Sequence, residues 1–375
     1  MYMKKFFCLI FVALAMVGCS ETTSRELFEE SKSGVVLILN EYYFTLTMPN
    51  GNELYFTGLD SDGDLENITF DEDEIREQQK VMSGTGFFID DRGLIMTNRH
   101  VAQPQIDIRD VKDGYNQLIS RVKLLYSMQM EKLSNDFDEL ENSKRLCYDY
   151  DYYGNYTFDS DTYQEIVSQQ DELRTEYASL SETRDALDDN VSIRELDIKA
   201  NCLLGIAYND TYITSDKDFI DKNPCVLVSA STEDNTDLAL IQLKNKRTPE
   251  GAFVFDTDGN TKESAMDKIK SLFSDDDDGE LKIDQDLYMI GYNAGPTLAT
   301  TKQGVQVQMT SGKVSQLSDG ERLLYSIPTV QGSSGSPVID DKGRLVAVNF
   351  AKLVGSDNFN FGIPMNKVRK FLNQQ

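Results

Sequence analysis

Apolar residues in this chain fall into short runs separated by polar stretches, and two different periods can be read from them. Gly34-Val-Val-Leu-Ile-Leu-Asn40, Cys225-Val-Leu-Val-Ser-Ala230, Leu238-Ala-Leu-Ile-Gln-Leu243, Leu287-Tyr-Met-Ile-Gly291 and Leu323-Leu-Tyr-Ser-Ile327 have the length and bounding residues of buried strands. Two further segments share a hairpin plan. Gly86-Phe-Phe-Ile-Asp-Asp-Arg-Gly-Leu-Ile-Met-Thr97 is an apolar strand, a polar turn ending in Gly93 and a second strand; Pro337-Val-Ile-Asp-Asp-Lys-Gly-Arg-Leu-Val-Ala-Val348 repeats it with Gly343 in the same place. A glycine there supplies the positive φ that closes such a turn. Two copies of one hairpin predict two similar β units.

Between them the period changes. From about Asp113 to Asn190, Ile119, Val122, Tyr126, Met130, Leu133, Phe137 and Leu140 recur at steps of three and four. Ile166, Leu173, Tyr177, Leu180 and Leu187 do so again after Tyr148-Asp-Tyr-Asp-Tyr-Tyr-Gly-Asn-Tyr156. The pattern predicts two heptad-like helices joined by a turn, an antiparallel helical hairpin over residues 105–190 with a tyrosine-rich tip. Clustered tyrosines suit a protein-binding surface, so the tip is a candidate partner site. A last amphipathic piece, Asn366 to Leu372, predicts a short closing helix at 366–373.

Composition narrows the chemistry. With 37 Lys+Arg against 63 Asp+Glu the formal charge is −26, and no basic stripe is present, which argues against nucleic acid. Asp60-Ser-Asp-Gly-Asp64 has its glycine at position four of a calcium-type loop, which needs it at six, so it reads as a solvated acidic turn, as does Asp275–Asp278. The 375 residues contain a single histidine and five cysteines, without zinc-ligand spacing, so no metal or other cofactor is expected.

At the N-terminus Lys4 and Lys5 precede an apolar run from Phe6 to Val17, a length that fits a secretory signal and falls short of a bilayer span. The run ends in Met16-Val17-Gly18-Cys19, which resembles a bacterial lipobox, with Met16 where Leu is usual. The resemblance implies a signal peptide over 1–18, lipid attachment at Cys19, a polar tether over 19–30, and a protein held on the membrane of the bacterial envelope, facing the periplasm or on the outer membrane.

Three residues stand at the edges of apolar strands with the properties that nucleophilic hydrolysis requires. A serine hydroxyl needs a base, the base needs a carboxylate to hold its tautomer, and the oxyanion needs backbone N–H groups, which favours glycines beside the serine. The sole imidazole, His100, follows the first hairpin in Thr97-Asn-Arg-His-Val101. Asp237 opens the strand Leu238–Leu243. Ser334 lies in Gln331-Gly-Ser-Ser-Gly-Ser-Pro337, just before the second hairpin.

The order His, Asp, Ser, with Ser83-Gly-Thr-Gly-Phe-Phe-Ile89, Thr236-Asp-Leu-Ala-Leu240, Gly332-Ser-Ser-Gly-Ser-Pro337 and Asn360-Phe-Gly-Ile-Pro364, resembles the chymotrypsin-fold, trypsin-like serine peptidases, and within them the HtrA/Deg-like branch. It covers residues of about 31–103 and 191–375 and leaves out the helical hairpin. The resemblance implies a mainly β fold: two six-stranded antiparallel β-barrels, 31–250 carrying His100 and Asp237 and interrupted by the hairpin, and 251–375 carrying Ser334 and the closing helix. It implies His100 as general base, Asp237 as its orienting carboxylate, Ser334 as nucleophile, and the N–H groups of Gly332 and Ser334 as oxyanion hole. Pro328, Gln331 and Phe350 are the candidate substrate pocket. Ser333 stands where the family usually has Asn or Asp, Ser336 replaces a glycine, and no PDZ domain is expected after the closing helix. Pro328 holds the place of the acid in trypsin-like members, which disfavours Lys or Arg at the cleavage position. Glutamyl endopeptidases share the Gly-x-Ser-Gly-Ser-Pro loop but recruit a second histidine, so the expected preference is a small or medium apolar residue. The expected function is a membrane-tethered serine endopeptidase acting on polypeptides. A non-catalytic binding lipoprotein and an esterase with the same triad are the alternatives.

Overall fold

The computed structural model describes residues 23–48, 50–233, 235–257, 280–352 and 360–374. Cys19 with the signal segment and the run Asp275–Asp278 lie outside them. The first barrel is built from β1 (Val35–Thr47), β2 (Lys80–Phe88), β3 (Leu94–Thr97), β4 (Asp197–Tyr208), β5 (Pro224–Ala230) and β6 (Ala239–Leu243). The strands follow the order β1-β2-β3-β6-β5-β4, and β4 pairs back with β1 to close the ring. All the registers resolved along it are antiparallel, Leu37 facing Thr85, Phe87 facing Met96 and Ala239 facing Thr97. Closure removes exposed sheet edges, and the inward positions Val36, Ile38, Phe88, Ile95, Ile206 and Ile241 fill the barrel.

The second barrel comprises β7 (Asp286–Gly291), β8 (Gln308–Gln316), β9 (Leu323–Tyr325), β10 (Pro337–Asp340), β11 (Leu345–Lys352) and β12 (Asn360–Pro364), closed in the order β7-β8-β9-β12-β11-β10. Leu287, Met289, Val314, Leu323, Tyr325 and Val338 pack inside it. Both expected hairpins are present, and their turns close on Gly93 and Gly343 at positive φ.

The helices include α1 (Ser24–Ser31), α2 (Arg99–Ala102), α3 (Ile108–Ser143), α4 (Ser160–Ala186) and α5 (Met365–Leu372). Residues 24–31, read from sequence as part of a polar tether, are thus helical. Thr23 and Glu26 form a capping box, and Leu27 and Phe28 join the apolar cluster of Val35, Phe255 and Leu345. The strands β4 and β8 are not among those that the sequence predicts.

The chain divides into two compact units. The first holds the barrels, save the outer ends of β1 and β4. The second comprises residues 43–79 and 105–201 and contains α3 and α4. Within it Asp107 caps α3, Met130, Leu133 and Ile166 are buried, and Gln170 donates to the Phe137 carbonyl at 3.3 Å. The expected break between the helices is itself ordered. Tyr148–Tyr150 and Tyr156–Phe158 pair as a two-stranded ribbon, with Tyr148 stacked on Phe158 and Tyr152 96% exposed. Among the described residues no helix is long and apolar enough to cross a membrane.

Candidate active site

His100 sits on the single turn α2, which the chain enters directly from β3. Asn98 gives its side-chain amide to the Asp237 carbonyl at 2.8 Å, drawing the mouth of β6 against the start of α2. Buried Asn40 of β1 donates to the carbonyls of Val101 (2.9 Å) and Ala102 (3.2 Å), satisfying acceptors that a helix this short leaves without internal partners.

Asp237 meets His100 with both oxygens. The His100 backbone N–H donates to Oδ1 at 3.0 Å, and ring Nδ1 donates to Oδ2 at 2.6 Å. The pair fixes the ring's orientation and leaves Nε2 as the free nitrogen, with the imidazole 38% and the carboxylate 20% exposed. Burial opposes ionisation of Asp237. The hydrogen bonds and charge of His100, with Arg99 nearby, outweigh it and hold the carboxyl below its ordinary range.

Ser334 is delivered from the second barrel on a loop that the first barrel grips. Thr85 of β2 donates its N–H to the Ser334 carbonyl (2.8 Å) and its hydroxyl to the Gly332 carbonyl (2.9 Å), and accepts from the N–H of Tyr292 (3.0 Å). Gly335, at φ +85°, packs against the Thr85 carbonyl, Thr97 Oγ1 and the Asn98 N–H, where a Cβ would collide. The nucleophile loop therefore lies against the residues that lead into His100.

Backbone orientation around Ser334 follows from planarity: in a trans peptide the C=O and the next N–H point in opposite directions. The Gln331 carbonyl accepts from the Ala294 N–H at 2.7 Å, turning the Gly332 N–H the other way. The Ser333 carbonyl accepts from the Asn349 side chain at 2.9 Å and the Ser336 N–H at 3.1 Å, turning the Ser334 N–H likewise. Neither of these N–H groups has a hydrogen-bond partner among the described residues. Gly332, at φ +94°, lies against Tyr292 and Gly295 with no room for a side chain.

Residues 200–348 match the family model of the trypsin-like peptidase domain, a span that contains Asp237 and Ser334. Curated relatives include the glutamyl endopeptidase of Staphylococcus aureus strain MW2, 29% identical over 96 residues, or 25% of this chain and 27% of that protein. The chain thus matches about a quarter of the length of these relatives. Among solved structures, the serine endoprotease from Yersinia pestis aligns at a TM-score of 0.42 with 12% identity, covering 94% of this chain and 66% of that one. Deg5 aligns at 0.39 with 16% identity, covering 94% of each.

The expected pocket residues lie on this loop, beside it in sequence or, for Phe350, next to Asn349, which bonds to it. Pro328 and Gln331 are exposed, and half-buried Phe350 lies with its ring 6.5 Å from that of Phe361. Between them the hydroxyl of buried Thr329 donates to Asn360 Oδ1 at 2.7 Å, and Asn360 Nδ2 donates to the Ile327 carbonyl at 2.6 Å. No group of three or more metal-ligating side chains occurs among the described residues. The sequence reading missed Asn40, Thr85, Asn98, Asn349 and Tyr325. Asn40 and Asn349 did carry a signal, since each is a lone amide in an apolar strand, a residue that burial forces to find partners.

Proposed function

We propose that this protein is a serine endopeptidase, held on the bacterial envelope membrane through lipid at Cys19. In this reading Ser334 Oγ attacks the scissile carbonyl and gives its proton to His100 Nε2. The N–H groups of Gly332 and Ser334 take the oxyanion. His100 then protonates the departing amine, leaving an acyl ester on Ser334. Water, deprotonated by His100, releases the acid product. Asp237 keeps the Nδ1 proton in place and stabilises the imidazolium. The observation that carries the reading is the double engagement of His100 by Asp237, in a chain whose nucleophile loop lies against the approach to the same histidine.

Peptide cleavage after a small or medium apolar residue is supported by the uncharged surroundings Pro328, Thr329, Gln331, Phe350 and Asn360. The match to glutamyl endopeptidases makes cleavage after Glu the outcome that would displace this preference in a peptide-library digest. The exposed aromatic ribbon at residues 148–158 supports a protein partner docking on the helical hairpin.

The test is a fluorophosphonate probe on soluble protein beginning near Thr23. Wild type is expected to label, and His100→Ala and Ser334→Ala are not. A folded wild type that fails to label would overturn the hydrolase reading. Turnover of peptide and not only of simple ester separates a peptidase from an esterase.

A further inference from the structure

Asn349 belongs to β11, in the run Leu345-Val-Ala-Val-Asn-Phe350, and is 2% exposed. Its side chain makes three contacts. Nδ2 donates to the Ser333 carbonyl at 2.9 Å and approaches Ser333 Oγ at 3.3 Å, while Oδ1 accepts from the hydroxyl of Tyr325 at 2.8 Å. Its backbone holds the same loop, since the Gly335 N–H donates to the Asn349 carbonyl at 2.8 Å and the Asn349 N–H donates to the Ser336 carbonyl at 2.9 Å.

We infer that Asn349, aimed by Tyr325, is a positioning residue that sets the direction of the Ser334 N–H in the oxyanion hole. The inference rests on the peptidase reading above. An amide has one end that donates and one that accepts. Tyr325 is fully buried inside the second barrel, and its hydroxyl proton needs an acceptor. With Oδ1 committed to that proton, Nδ2 must face Ser333. The Ser333 carbonyl is then held on the barrel side of its peptide plane, and the Ser334 N–H points to the opposite side. Turning this peptide over would strip Nδ2 of its carbonyl acceptor inside the barrel and aim that carbonyl where an oxyanion would form. The pair therefore acts as a neutral latch on the position before the nucleophile, where the side chain of Ser333 carries no charge.

Two variants test it. Asn349→Asp keeps size and shape but turns the end facing Ser333 from donor to acceptor. Tyr325→Phe removes one hydroxyl and leaves the amide free to rotate. Expected for Asn349→Asp is a fall in kcat of about 10²- to 10³-fold, the scale of one lost oxyanion donor, with KM within about threefold. Tyr325→Phe is expected to lose about tenfold in kcat. Fluorophosphonate labelling should slow in parallel, and thermal unfolding confirms that each variant is folded. If wild type labels and folded variants label and turn over at the wild-type rate, the latch is wrong while the peptidase reading stands. Lowered melting temperature with unchanged kcat means a purely structural role and also overturns it. If Asn349→Asp does not fold, the hydroxyl-deleted variant alone decides. An unreactive wild type removes the peptidase reading and the inference with it.

Discussion

Thr85 makes three hydrogen bonds to three different backbone partners with two groups, its N–H and its hydroxyl, and each partner belongs to the segment that presents Ser334 or to Tyr292 beside it. Its carbonyl takes a fourth contact from Thr97 Oγ1 at 2.7 Å. Replacement by valine keeps the shape and the N–H but deletes the hydroxyl. The Gly332 carbonyl and the Tyr292 N–H would each lose a partner in a fully buried setting. Each such loss costs about 1–3 kcal/mol. Thr85→Val is therefore expected to lower the urea-unfolding free energy by about 2–4 kcal/mol, the sum discounted for relaxation. It is also expected to slow fluorophosphonate labelling of the folded protein. Unchanged stability and unchanged labelling would show that the loop is held elsewhere.

At the scale of elements, the two hairpins and the helical hairpin were legible because each has a strong, uninterrupted period. The pairing of His100 with Asp237 was also legible, since strand ends adjoining apolar runs are where rigid scaffolds present side chains, and two hydrogen bonds join them. The strands β4 and β8 escaped for a physical reason. Neither is buried along its length: burial is confined to Leu204–Ala207 in one and Val314 in the other, with the remaining positions mixed between half-buried and exposed. Helix α1 left a readable trace in Thr23 and Glu26 that a polar composition concealed. The grip on the nucleophile loop was not legible at all, because hydrogen bonds between Thr85 and Gly332 join residues 247 apart. The aromatic ribbon was read as a turn because its strands are only three residues long. Its exposed Tyr150 and Tyr152 yield an element-level prediction. Changing both to serine should abolish co-purification of a docked protein while leaving fluorophosphonate labelling intact, and persistence of the captured partner would refute the tip as a docking site.

At the scale of the whole molecule, the proposed N-terminal anchor has a simple readout. Metabolic labelling with a radioactive fatty acid should mark the full-length wild type and spare Cys19→Ser, which should partition into the soluble fraction. Equal labelling of both would place the lipid elsewhere or nowhere. The docking of α1 would give that anchor an unusual mechanical character. Leu27 is packed into the barrel cluster and the helix is capped at Thr23, so in the proposed lipoprotein only three residues, Ser20 to Thr22, would separate an acylated Cys19 from the folded body. Fully extended, the four steps from Cys19 to Thr23 would reach about 14 Å, less than half the hydrocarbon thickness of a bilayer. A protein on such a leash could not swing out to sweep the surrounding volume. It would patrol a plane, meeting substrates at the rate its lipid diffuses and cutting those that pass within a thin layer above the headgroups.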